Sequence, residues 1–310
     1  MNIEKTALDK NKSFRPIFFY DSARLAEMAV LMYLKQKGNF TLFLPGYIGF
    51  STKEGSGIYD PVTKTGTKHV FYKINKDISI NTEDLTQKLK NTTNDKVVFI
   101  VDYFGYPDVN IEEVIRICRS ENAIILEDCA HALYSDYIDH TCGIYGDYVI
   151  YSIHKMLPYE KGGFLKVNAD ISKDEIAFYK LHNEASYVSI FNYDFYDIAC
   201  KRKENAILWY KLCADNHNLE ILHQGEFDVT PQTFPVIIKN YDRTQLYFEL
   251  NEAGFGAVSL YHTLIEPLRT GAYDDALWLS KHIMNMPVHQ DIEAGQIEAM
   301  YKKITELFGV

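Results

Sequence analysis

The chain has little of what marks a specialised scaffold. Its five cysteines, at 118, 129, 142, 200 and 213, form no CxxC pair and no metal-ligand spacing. An odd count spread over 310 residues argues against a disulfide framework and for a reducing compartment. His217 and His223 have no third ligand at sensible spacing, so no metal is expected. Basic residues are outnumbered, 32 Lys and Arg against 42 Asp and Glu, for a net charge of −10. With no basic block, neither nucleic acid nor an anionic membrane is expected as a partner. No apolar run approaches the roughly 18 to 20 residues of a membrane helix. The first residues, MNIEKTALDKNKSF, are polar and lack the apolar stretch of a signal peptide, so the protein is expected in the cytoplasm. A P-loop and a GxGxxG are also missing, which leaves nucleotide hydrolysis and nicotinamide chemistry without support.

What is present is an ordinary apolar fraction, 47%, enough for a sizeable core. Asp21 or Ser22 can cap a helix that ends at Gly38. Leu25, Met28, Ala29, Met32 and Tyr33 recur along it at helical spacing and predict its buried face. Residues 41–44 and 70–74 read as short strands, with residues 51–68 between them read as loop. The run Val97-Val98-Phe99-Ile100-Val101 is apolar throughout, as in a parallel strand covered on both faces. Asn110 and Glu113 form a variant capping box that opens a helix. Strands follow at 123–126, 147–151 and 163–167. Strand, helix, strand in this order predicts an α/β fold, a mostly parallel sheet covered by helices. Strands at 234–238 and 283–288, each before a helix, predict a smaller C-terminal α/β domain. The division is placed at 1–200 and 201–310.

Ligands in such sheets bind at the carboxyl ends of strands. Two groups of residues occupy that position. Ser152-Ile153-His154-Lys155 closes one strand and precedes Gly162-Gly163. A partly desolvated lysine amine condenses with aldehydes, and a nearby serine can hold a phosphate. Asp128-Cys129-Ala130-His131 closes another. The carboxylate of Asp128 can keep a pyridine nitrogen protonated and the ring electron-withdrawing. His131 could reach the edge of the same ligand. The turn Ser22-Ala23-Arg24 offers helix N–H groups, a hydroxyl and a guanidinium, which suit a phosphate dianion. A Ser-x-x-Lys also marks penicillin-binding proteins and serine β-lactamases, where it precedes an S-D-N-type motif and a Lys-Thr-Gly. Here Lys64-Thr65-Gly66 comes before it and no S-D-N follows.

The strings ILEDCAHA, GDYVIYSIHKMLPYEKGGFL and NMPVHQDI resemble the DegT/DnrJ/EryC1/StrS family of sugar aminotransferases, nearest to a short subgroup carrying S-x-x-K-x-L-P. Further points of similarity are Ser22-Ala23-Arg24, Leu44-Pro45-Gly46-Tyr47, Tyr103-Phe104-Gly105 and Phe234-Pro235-Val236. The resemblance implies a fold-type-I enzyme using pyridoxal 5′-phosphate (PLP), with Lys155 as its catalytic Schiff-base lysine. It also implies Asp128 on the pyridine nitrogen and His131 near the cofactor hydroxyl. Ser152, Ser22, Ala23 and Arg24 fall on the phosphate. The reaction implied moves an amino group, with glutamate as donor, to a keto sugar, nucleotide-linked, in polysaccharide or secondary-metabolite synthesis. A homodimer is implied too. The chain departs from the family in three places. Gly49 stands where a second aromatic often stacks on the cofactor, and Tyr47 is the substitute expected. Residues 169–203 are shortened. The asparagine that in larger members reaches the partner's phosphate has only Asn192 as a candidate. Sugar dehydration, for which family members replace the lysine, and a non-catalytic relative that binds PLP or a partner are the alternatives.

Overall fold

The computed structural model describes residues 15–181, 185–225 and 227–309. The polar N-terminal segment noted above lies outside them, as do three residues of the shortened 169–203 stretch.

The first part of the chain runs β1 (Ile17–Tyr20), α1 (Ala23–Lys37), β2 (Phe40–Pro45), α2 (Tyr59–Thr65), β3 (His69–Tyr72), α3 (Thr82–Lys90) and β4 (Asp95–Val101). It continues through α4 (Ile111–Ser120), β5 (Ile124–Asp128), α5 (Leu133–Tyr137), β6 (Tyr148–Ser152), β7 (Gly163–Val167) and α6 (Lys173–Lys180). The seven strands form one sheet in the order β1-β7-β6-β5-β4-β2-β3. Neighbours from β6 to β3 are parallel, and β7 is antiparallel to both β6 and β1. The fold is therefore the α/β, mostly parallel architecture expected. Its central strands are buried along most of their length because helices cover them, which is why their sequences run apolar without alternation.

A second sheet, β10-β9-β8, comes from β8 (Leu219–Ile221), β9 (Thr233–Ile238) and β10 (Ile283–Pro287). It packs with α7 (Phe195–Cys213), α8 (Arg243–Glu252) and α10 (Ala294–Phe308) around Trp209, Phe234, Val236, Met284 and Met300. The remaining helix, α9 (Asp274–His282), leads directly into β10. Helix α7 spans residue 200, where the division between domains was placed.

Three local expectations need correction. Residues 51–68 contain α2, which ends at Gly66 in a left-handed cap, φ 60°. Asn110 sits at the N-cap of α4, but its side chain makes no capping bond; Asp108 Oδ1 instead accepts the Asn110 N–H at 2.8 Å. On α1 the buried face is Ala26, Ala29, Val30, Tyr33 and Leu34, while Leu25 and Met32 are 43% and 47% exposed. Residues 25–34 are apolar almost all round, so spacing alone fits either face.

What fixes the rotation of α1 is a close backbone approach. Gly163, the first residue of β7, lies under the start of the helix. A Cβ at that position would meet Ala23 N at 2.2 Å and the Ser22 carbonyl carbon at 2.5 Å. Replacing Gly163 with Ala is therefore expected to push the Ser22–Ala23 turn off β7 and destabilise the protein by about 1–3 kcal/mol. Denaturant unfolding of the two proteins measures this; an unchanged midpoint would contradict the packing described.

Candidate active site

Because β5 and β6 are parallel neighbours, with Asp128 opposite Ile150, their carboxyl ends meet at one edge of the sheet. An open cleft of about 510 Å³ lies there. It is lined by Asp128, His131, Ser152, Lys155, Ser22, Ala23 and Arg24. Seven of the eight residues singled out from sequence are thus brought together from three stretches of chain. The eighth, Tyr47, is not on the cleft: it is fully buried, and Tyr261 occupies the wall in front of it with ring centroids 5.2 Å apart. Nothing in the sequence around Tyr261 singled it out. Glu27 was missed as well, and Phe104 and His154, though within the quoted motifs, were given no role.

Each side chain is placed by a local device. Asp128 ends β5, and one of its oxygens accepts the Ala130 N–H at 2.8 Å, holding the turn that follows. The preceding residue, Glu127, is buried and accepts N–H groups from Gly143, Tyr145 and Gly146, which ties the end of β5 to that loop. Behind them, Asp102 accepts the Cys129 thiol at 3.0 Å. After Ser152, the Met156 and Leu157 N–H groups both bond to the Ile153 carbonyl, closing the turn that projects Lys155 into the cleft. At the start of α1 the Ser22 hydroxyl caps the Leu25 N–H at 3.3 Å. Ser22, Ala23 and Arg24 line the cleft with the buried Ser152, so the positive end of the helix dipole lies at it.

The contact that decides the chemistry is between Lys155 Nζ and His131 Nε2, 2.8 Å apart. His131 is buried, and its other nitrogen, Nδ1, accepts the Phe104 N–H at 3.2 Å. An imidazole that accepts at Nδ1 must carry its proton on Nε2. His131 therefore donates to Lys155, and only an uncharged amine can accept. Burial holds the His131 pKa well below the usual range, and the lysine charge would lower it further. The Lys155 pKa is also lowered, mainly by desolvation and further by Arg24, with Asp128 and Glu54 opposing. Solvent reaches this amine through the mouth of the cleft, while protein surrounds it on the other sides. Phe104 takes part only because its backbone is left-handed, φ 61°, in the tight turn before Gly105.

The carboxyl groups shift the opposite way. Burial raises the pKa of Asp128, with Lys155 and the Ala130 N–H opposing. Glu27 on α1 lines the same cleft, is buried, and has an Oε1 with no hydrogen-bond partner among the described residues. Burial raises its pKa well above the carboxylate range, and Asp128 adds to this. An uncharged amine, a carboxyl group and a helix terminus share one cleft. That set fits PLP: an amine for its aldehyde, a carboxylate for its ring nitrogen, and backbone donors for its phosphate.

Residues 57–305 match the DegT/DnrJ/EryC1/StrS aminotransferase family. The chain belongs to this family. It is thereby a PLP-dependent aminotransferase of the sugar-modifying kind. It is 24% identical over 272 residues to UDP-4-amino-4,6-dideoxy-N-acetyl-beta-L-altrosamine transaminase of Campylobacter jejuni, covering 73% of this chain and 70% of that protein. GDP-perosamine synthase of Escherichia coli O157:H7 is 28% identical over 119 residues, covering 37% of this chain and 32% of that protein. The fold matches Helicobacter pylori PseC, an aminotransferase of pseudoaminic acid biosynthesis, with a TM-score of 0.74 at 18% identity; 94% of this chain and 86% of that one are covered. It also matches E. coli GDP-4-keto-6-deoxy-D-mannose-3-dehydratase with bound hydrated PLP, TM-score 0.72 at 17% identity, over 93% and 87% of the two chains. At these identities the solved structures share the fold.

The hydrogen-bond chain makes a signed prediction for the cofactor-free protein. Lys155 should react with an amine reagent such as trinitrobenzenesulfonate with a midpoint below the roughly 10.4 of an ordinary lysine. His131→Ala removes a donor to the neutral amine and opens the site to water, so the midpoint should rise. Asp128→Asn removes a carboxylate that favours the ammonium, so the midpoint should fall. Reaction rate at Lys155 against pH, followed by peptide mass, checks both directions; equal midpoints in all three proteins would contradict the arrangement.

Proposed function

We propose that the protein transfers an amino group from glutamate to a nucleotide-linked keto sugar in surface-polysaccharide or secondary-metabolite synthesis. The observation that carries the reading is the 2.8 Å contact between Lys155 Nζ and His131 Nε2, in one cleft with Asp128 and the first turn of α1. The relatives' names, a UDP-linked amino-sugar transaminase and a GDP-perosamine synthase, support the sugar and its nucleotide. Retention of Lys155 favours transamination over dehydration.

PLP, when bound, supplies an aldehyde that captures amines and a ring that withdraws electrons. The roles assigned to the chain are as follows. Lys155 Nζ would hold the aldehyde carbon and, when free, would take the proton from the donor's α-carbon. Its uncharged state is what lets it act as a base without first losing a proton to water. Asp128 would hold a proton at the pyridine nitrogen, its carboxylate favoured there by the ring's positive charge. His131 donates from Nε2, so it can serve the cofactor's phenolate oxygen after Lys155 moves. Ser22, Ala23, Arg24 and Ser152 bind the phosphate. In the second half the same residues would serve in reverse: the keto sugar's carbonyl oxygen would leave as water, and Lys155 would deliver a proton to the carbon that takes the nitrogen.

A homodimer forms part of the proposal. On the outer face of α1, Leu25 and Met32 are exposed with the half-buried Met28 between them, and Phe50 on the cleft rim is 38% exposed. Such a contiguous apolar edge beside a site suits a subunit contact. Placement in the cytoplasm follows the supply of nucleotide sugars and glutamate.

With PLP bound, glutamate should bleach the visible colour of the protein and release 2-oxoglutarate, and a nucleotide keto sugar should restore it. Colour that survives glutamate but yields to another amino acid would replace the donor; survival against every amino acid would overturn transamination. Sedimentation should give a dimer that Met32→Glu weakens, whereas a monomeric wild type would remove the subunit contact from the account.

A further inference from the structure

Tyr261 has no role so far, yet its placement is strongly constrained. It lies in a segment that crosses from α8 back to the large sheet. The Ile265 N–H bonds to the Ile48 carbonyl at 3.0 Å, the Phe50 N–H bonds to the Thr263 carbonyl at 2.8 Å, and Gly49 pairs with Leu264. These bonds lock residues 48–50 against residues 263–265. Tyr261 itself has a left-handed backbone, φ 57°, unfavourable for a bulky residue and kept only where surrounding contacts enforce it. Its ring meets Tyr47 at 5.2 Å, Tyr103 at 5.5 Å, Phe104 at 5.9 Å and His131 at 6.2 Å. The last three contacts are edge-on, so the aromatic cluster buttresses the ring from its side.

Gly49 explains how the ring reaches the cleft. A Cβ at position 49 would lie 2.8 Å from Tyr261 Cδ1 and 3.3 Å from its Cα. The backbone of Gly49 is not left-handed, so a side chain would be tolerated there but for Tyr261. The glycine is therefore a space left for this ring. Tyr261 lines the cleft together with Asp128, His131 and Lys155, the groups assigned above to the ring and aldehyde of PLP. A flat heteroaromatic ring bound among those three groups comes within stacking range of a buttressed aromatic on the same wall.

We propose that Tyr261 is the aromatic cover of the PLP ring, supplied by the C-terminal half of the chain into the space that Gly49 leaves. The assignment rests on the PLP reading given above. It makes cofactor retention depend on the crossing segment 259–265 and not on the large sheet alone. The hydroxyl is not what the role requires: burial, with Asp128 adding, raises its pKa, so it stays neutral and the ring is the working part.

The test is a PLP titration of the purified protein, read by visible absorbance and by the visible circular dichroism of the bound cofactor. Stacking of this kind corresponds to about a two- to tenfold loss of affinity for Tyr261→Ala, with reduced dichroism. Tyr261→Phe keeps the ring and should bind like wild type. Gly49→Phe alone should bind poorly, because two rings compete for one space. Combining Gly49→Phe with Tyr261→Ala moves the aromatic across and should regain affinity over either single variant. Unaltered affinity in Tyr261→Ala, a loss in Tyr261→Phe equal to that in Tyr261→Ala, or a double variant no better than Tyr261→Ala would each overturn the assignment. If Tyr261→Ala does not fold, Tyr261→Leu compared with Tyr261→Phe decides by the same criterion. A wild type that takes up no PLP would overturn the function reading itself and the assignment with it.

Discussion

The parallel pairing of β5 with β6 is the constraint on which the site depends. It sets Asp128 beside Ile150 and brings two turns, one carrying His131 and the other Lys155, to the same sheet edge. The antiparallel return of β7 then places Gly163 under the first turn of α1. One sheet edge thus receives an acid, an amine and a helix terminus without a long loop having to find its position. The central strands are apolar because both faces are covered, so the forces that bury them also fix the site's geometry.

Desolvation then sets the charge states. Water is scarce around His131, Asp128 and Glu27, and each is pushed towards its uncharged form. Lys155 shifts the same way, and the hydrogen-bond chain from the Phe104 N–H through His131 to Nζ selects its neutral form independently. Both effects favour the neutral amine. A phosphate and a pyridinium entering this cleft would meet groups already arranged for them, which is the preorganisation that lets a cofactor's chemistry proceed with little further rearrangement.

Much of this was legible in the chain, and the limits of legibility have physical causes. Strand β4 announces itself through an unbroken apolar run, and Asp128, Ser152 and Lys155 fall at strand ends where the sheet rule places ligands. The buried face of α1 was misread because residues 25–34 are apolar nearly all round, and tertiary contact with Gly163 chose between the faces. Helix α2 was missed because its sequence, YDPVTKT, has few apolar residues to give it a period. Tyr47 was the aromatic expected because it lies close to Gly49 in sequence, and nothing there pointed to Tyr261. The ring that reaches the cleft comes from more than 200 positions further along, through pairing of residues 48–50 with 263–265. Nor could the tautomer of His131 be read from sequence, since it is set by a main-chain N–H in a left-handed turn.

The central claim is that Lys155 is the amine that captures PLP in this cleft. Borohydride reduction of the PLP-loaded protein, followed by peptide mass mapping, tests it directly. The account predicts one pyridoxyl group per chain, carried on Lys155 and lost in Lys155→Ala. A pyridoxyl group on another lysine, or none on the wild type, would contradict it.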